Sequence, residues 1–67
     1  MMNLQINGEK RQIPLSLTVT DLLKTLDIDS RRVAVEINRV IIKKQEYDNH
    51  NLNDGDAVEI VNFVGGG

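Results

Sequence analysis

The residues best suited to chemistry stand at the last three positions. Gly65, Gly66 and Gly67 follow directly on an apolar stretch, Val58 to Val64. Glycine has no Cβ, so three in a row offer a bare backbone that can thread a channel too narrow for any side chain. Extended, they reach roughly 10 Å. Such a tail can carry its own α-carboxylate, that of Gly67, into the active site of another protein. With a reference pKa of about 3.3–3.7 that carboxylate is ionised at neutral pH and is a poor electrophile. A partner has to activate it, for instance as a mixed anhydride with AMP, before sulfur or nitrogen can attack. The plainer reading of three glycines is a frayed end. Against it stands the strand they follow, whose outward side carries Val61 and Phe63. An apolar pair beside a slender tail suits docking onto a partner that grips the domain while taking the tail. Val61, Phe63 and Val64 are therefore the expected docking residues, and Gly65 and Gly66 the slender approach.

The remaining inventory holds no catalytic set. There is no cysteine, which removes thiolate nucleophiles, thiolate metal sites and disulfides. The single histidine, His50, lies in a polar, Asn-rich run near Asp48. A base in that position still lacks a nucleophile, a metal partner and a cleft, so a solvated loop histidine is the expectation. Asp54-Gly55-Asp56 resembles the start of a calcium loop, but the later ligands and the closing Glu are missing, which leaves a turn. The short charge pairs Asp27 and Asp29, Arg31 and Arg32, and Lys43 and Lys44 need no more than a solvated face. The terminal glycines make no phosphate loop, because no helix follows to supply donors. A domain of this size also has little room for a pocket of the usual ~300 Å³ or more. The expectation is a non-enzyme without metal or cofactor.

Several elements have to position that tail. Met2, Leu4 and Ile6 alternate with Asn3, Gln5 and Asn7, the period of a half-buried strand. After turn residues at Asn7-Gly8-Glu9 a second strand runs from Arg11 to Leu15. Placing Gly8-Glu9 in the loop sets Leu4 against Ile13 and Met2 against Leu15, whereas Asn7-Gly8 sets Leu4 against Arg11; the first register is expected. Pro14 removes a ladder donor and marks this strand as a sheet edge. Thr18 caps a helix, with Asp21 in the capping-box position. Val19, Leu22, Leu23 and Leu26 then form a one-sided apolar stripe. Two to three turns are too short to stand alone in water, so the helix must lie on a sheet. Arg32 to Asn38 reads as a strand facing inward through Val33, Val35 and Ile37. Asn38-Arg39 turns into a short segment, Val40 to Ile42, and Lys43 to Asn51 reads as polar and irregular. The final strand, Ala57 to Val64, turns Val58 and Ile60 to the core and Val61 and Phe63 outward. The order is β-β-α-β-β-β, an α+β roll with one helix across a single sheet.

The whole chain sets outer limits on these readings. Its 67 residues allow one small domain, with 1–64 forming the folded body and 65–67 a flexible tail. A 40% hydrophobic and 27% charged composition is ordinary for a folded protein. Ten acidic against eight basic residues, net −2, argue against a nucleic-acid module. No apolar run approaches the roughly 20 residues needed to span a bilayer, and no secretory signal opens the chain. With no cysteine present, the cytoplasm is the expected compartment.

Taken in order, several segments resemble one family. They are the opening strand with Asn7-Gly8, the helix start Thr18-Val19-x-Asp21-Leu22-Leu23, and Val33-Ala34-Val35-Glu36-Ile37-Asn38. Asp54-Gly55-Asp56-x-Val58-Glu59-Ile60 and the terminal Phe63-Val64-Gly65-Gly66-Gly67 complete the set. Together they resemble the thiamine-biosynthesis sulfur carriers, which are ubiquitin-like β-grasp proteins. The resemblance implies a β-grasp roll with a mixed sheet of four to five strands and one helix packed across it. It also implies a route. An adenylating enzyme related to ubiquitin-activating (E1-like) enzymes uses ATP to convert the Gly67 carboxylate to an acyl-adenylate. Sulfur from a donor such as a cysteine desulfurase relay replaces AMP to leave a thiocarboxylate, and thiazole synthase takes that sulfur. The small subunit of molybdopterin synthase shares the fold and the Gly-Gly end. A ubiquitin-like protein modifier and a purely docking β-grasp module are the other readings. Covalent conjugates would mark the modifier, and indifference to a residue appended after Gly67 would mark the docking module.

Overall fold

The structure, a computed structural model, describes residues 1–14 and 17–62. The expectations that fall on Leu15 and on Phe63, Val64, Gly65, Gly66 and Gly67 lie outside the described residues. The elements are β1 (Met2–Ile6), β2 (Glu9–Ile13), α1 (Val19–Thr25), β3 (Val33–Ile37), β4 (Val40–Ile42) and β5 (Ala57–Asn62). Short 3-10 turns at Ser30–Arg32 and Lys44–Glu46 connect them. One five-stranded sheet runs in the order β2-β1-β5-β3-β4. Its β1-β5 pairing is parallel and the others antiparallel. The last described strand in sequence is thus the middle strand of the sheet, and β2 is an edge, as expected. It runs from Glu9 to Ile13 rather than from Arg11 to Leu15, however, and ends before Pro14, which takes no place in its ladder.

The hairpin register differs from the sequence expectation. Asn7 and Gly8 form the loop, with φ of 49° and 84°, and Leu4 faces Arg11 while Met2 faces Ile13. Two consecutive positive-φ positions suit Asn-Gly, whose twist matches that of the flanking strands. Keeping Arg11 off the core-facing side would have required Glu9 in the loop instead. Arg11 tolerates its place because β2 is an edge that α1 does not cover: of its five residues only Ile13 is buried. The uncovered strip leaves a shallow groove of about 200 Å³ between Glu9 and Arg11 on one side and Leu26 and Ile28 on the other.

Helix α1 starts as its residues demand. The Thr18 hydroxyl accepts from the Asp21 amide at 3.2 Å and the Asp21 carboxylate accepts from the Thr18 amide at 3.2 Å, a reciprocal capping box. The end is a Schellman arrangement: the Ile28 amide donates to the Leu23 carbonyl at 2.9 Å and that of Asp27 to Lys24 at 3.1 Å. Asp27 holds φ 59° there. Val19, Leu22 and Leu23 are buried, and Leu26 packs partly against the same cluster. They meet Met2, Leu4, Ile6, Val33, Val35, Ile37 and Val58 from the sheet, so the core is almost wholly aliphatic.

The run from Lys43 to Asn51 is more ordered than its polarity suggests. Within it Tyr47 is buried and donates its hydroxyl to the Val33 carbonyl at 3.3 Å, closing one end of the core. Burial pushes its phenol pKa upward. Leu52, equally buried, seals the same end.

Candidate functional site

Strand β5 takes its place through two asparagines that stand in for missing backbone. Past Val58, β1 has already turned away into its hairpin. The Asn7 carboxamide replaces it: its oxygen accepts from the Ile60 amide at 2.7 Å and its nitrogen donates to the Ile60 carbonyl at 3.2 Å. At the other end Asn38, in the β3-β4 turn, accepts from the Ala57 amide at 3.0 Å and donates to the Asp56 carboxylate at 3.0 Å. Asp56 is buried, and its second oxygen accepts from the Asn53 amide at 2.8 Å. Asp54 accepts from the Asn3 amide at 2.6 Å. Asp54-Gly55-Asp56 is therefore a fastener at the entry to β5, as its reading as a turn anticipates, with Gly55 at φ 90°.

With both flanks held, alternation fixes what β5 presents. Val58 is fully buried and Ile60 partly so, while Val61 points to the open sheet face and is 56% exposed. Val61 lies opposite Ala34 of β3, and in the next row Ile41, Glu36 and Glu59 stand side by side across β4, β3 and β5. The face that α1 leaves open thus carries a small apolar area edged by carboxylates. Of the expected docking residues the structure places Val61 on this face; Phe63 and Val64 lie beyond the described residues. The sequence pattern already turned Glu36 away from the core side of β3, but neither it nor Ile41 was among the expected site residues. The signal for Ile41 was its place between Val40 and Ile42, which puts it on the side of the sheet away from the helix.

The stretch that holds His50 and Asp48 is tied to its surroundings by hydrogen bonds. The His50 carbonyl accepts from the Val19 amide at 3.0 Å and its amide donates to the Glu46 carbonyl at 2.8 Å, while Asp48 accepts from the Thr20 hydroxyl. This loop therefore docks onto the start of α1. Asp29 caps the turn at Ser30–Arg32 and pairs with the Arg31 guanidinium at 3.0 Å. Hydrogen bonds from the Arg31 side chain, then from its amide, lower the Asp29 carboxyl from 3.8 to about 2. Among the described residues no group of three or more His, Asp or Glu side chains is placed to hold a metal ion. Among the same described residues no helix is long and apolar enough to cross a membrane.

Five strands with the chain's last strand in the middle, one short helix across one face and a free opposite face define a β-grasp protein of the ubiquitin-like kind. Residues 4–67 match the model of the ThiS family. The chain is 42% identical to the sulfur carrier protein ThiS of Bacillus subtilis, over 96% of its own length and 98% of that protein. The crystal structure of thiamine biosynthesis protein ThiS from Geobacter metallireducens superposes with a TM-score of 0.86 at 39% identity, covering 98% of this chain and 100% of that one. A thiazole synthase of Paramagnetospirillum magneticum is 53% identical over 98% of this chain, which spans only 20% of that protein. This chain belongs to the ThiS family of thiamine-biosynthesis sulfur carriers.

Proposed function

We propose that the carrier works through the α-carboxylate of Gly67, on a tail whose Gly65 and Gly66 let it thread a partner's active site. An adenylating enzyme of the E1-like type attacks ATP with that carboxylate, releasing pyrophosphate and leaving an acyl-adenylate. A sulfur nucleophile from a donor such as a cysteine desulfurase relay then adds to the acyl carbon, and AMP departs. With a persulfide donor, a partner thiol accepts the inner sulfur as a disulfide, and the outer sulfur remains as the thiocarboxylate. Thiazole synthase receives that sulfur. The carrier lends no side chain to the bond-making steps; ATP supplies the driving force and the partners the catalysis. Cytoplasm, with ATP and reduced thiols, suits a chain without cysteine.

The observation that supports this reading most is the anchoring of β5. Asn62 is the last described residue of this central strand, and three extended glycines at positions 65–67 would add a reach of roughly 10 Å. A carrier needs that combination of firm base and slender reach. The open face around Val61, with Phe63 and Val64 beyond it, is the grip for the partner. The kinship with a thiazole synthase that contains a ThiS-like stretch supports that enzyme as one partner, since fusion gives two partners a high effective concentration.

Intact-mass analysis after incubation with ATP, the cognate activating enzyme and a sulfur source tests the proposal. The expected result is an oxygen-to-sulfur mass gain localised to Gly67. Covalent attachment to lysines of other proteins instead would establish a modifier. No change with an active enzyme present would end the carrier mechanism for this tail. Val61→Asp and Phe63→Asp are expected to leave the circular dichroism spectrum unchanged and to raise the KM for adenylation; unaltered activation kinetics would remove these residues from the docking face.

A further inference from the structure

The two edges of the sheet are built differently. On β2, Glu9, Lys10, Arg11 and Gln12 are all exposed and Pro14 follows, an edge blunted against pairing with another strand. On β4 the three strand residues are Val40, Ile41 and Ile42, with Val40 61% and Ile41 70% exposed. The turn before it, Asn38-Arg39, has φ of 52° and 71°, a two-residue loop of the kind that makes Ile37 and Val40 a hydrogen-bonded pair. Ladder alternation then sends the amide and carbonyl of Ile41 away from β3, out of the sheet. This edge presents a free donor, a free acceptor and exposed apolar side chains on both faces.

The residues that bracket it select what can pair there. Arg39 precedes the apolar triplet and Lys43 follows it, and neither is in an ion pair among the described residues. A second copy of the chain, paired antiparallel about Ile41, would set Arg39 opposite Lys43 of its neighbour at both ends, and like charges directly opposite are unfavourable. A strand with apolar residues flanked by carboxylates would meet a cation at each end instead. We propose that the β4 edge, Val40–Ile42 between Arg39 and Lys43, accepts an extended, acid-flanked segment of a partner protein as a sixth strand. Main-chain bonds at Ile41 give the affinity, and the two bracketing cations give the selection. This site is separate from the tail and does not depend on its chemistry.

The test uses the full chain, labelled with 15N, and two synthetic heptapeptides of three central valines. One is flanked by pairs of aspartates and the other by pairs of lysines. The acidic peptide is expected to bind saturably, to shift the amides of residues 39–43 and to slow hydrogen exchange at Ile41. Raising the salt from low to molar concentration should weaken it roughly tenfold. The lysine-flanked peptide and the variant Ile41→Lys, whose exposed position spares the core, should each lose binding roughly tenfold or more. Equal binding of both peptides, shifts that map to β2, or no binding at all would overturn the proposal. Concentration-dependent protection of Ile41 without peptide would overturn it in favour of self-pairing.

Discussion

Asn7 and Asn38 hold the strand that leads to the tail, and each does so with a side chain imitating a peptide group. Asn7 also tolerates the left-handed backbone its turn needs. Asn7→Gly keeps that backbone and deletes the clip, so it is expected to cost about 1 kcal/mol in urea unfolding. It should also speed hydrogen exchange at Ile60, whose amide loses its acceptor. The sequence shows Asn7 as a turn residue but not as a clip, because its partner lies 53 positions away. Asp29 gives a prediction in pH. Its folded pKa, about 2, is below the ordinary 3.8. Its contribution to stability is therefore present above about pH 4 and is lost as pH falls through about 2. Carboxyl titration by NMR should show the depressed value for Asp29, and Arg31→Gln should return it toward the ordinary one. A carboxyl unmoved by that substitution would mean that the fork of bonds from Arg31 is not its cause.

At the scale of elements, α1 was legible in full: Thr18, Asp21 and the stripe from Val19 to Leu26 all serve as their spacing implies. Local signals sufficed because a cap and an amphipathic stripe are both completed within one or two turns. The first hairpin was only half legible. Both strands were evident, but weighing Leu4 against Arg11 assumed a covered face, and an edge strand has no cover near its turn. Tyr47 was not legible at all, since a single aromatic in a polar run carries no period. Two changes test these elements. Thr18→Ala removes half the capping box and is expected to cost about 1 kcal/mol. Asp27→Gly relieves a left-handed aspartate at the negative end of the helix and is expected to stabilise by about 0.5–1 kcal/mol. Thermal unfolding of the two variants in parallel checks both signs, and a destabilised Asp27→Gly would mean that the aspartate has a partner worth more than its strain.

Taken as a whole, the molecule divides support from reach. The sheet order β2-β1-β5-β3-β4 makes β5 the only described strand that touches both hairpins. The succession of elements and the helix across one sheet followed from the residue patterns, whereas the order of strands within the sheet depends on pairing between the two ends of the chain. Removing Gly65–Gly67 should leave the unfolding midpoint of the body unchanged and abolish any acyl-adenylate, a separation that calorimetry and mass analysis read independently. A large fall in the midpoint would instead make the glycines part of the body. The central seat of β5 has one more consequence. A polypeptide that stops between Ile42 and Ala57 has both hairpins and α1 but lacks the strand that pairs with each hairpin, so its sheet stays in two pieces. Closure of the sheet thereby waits for the last described strand, the same one that leads to the tail.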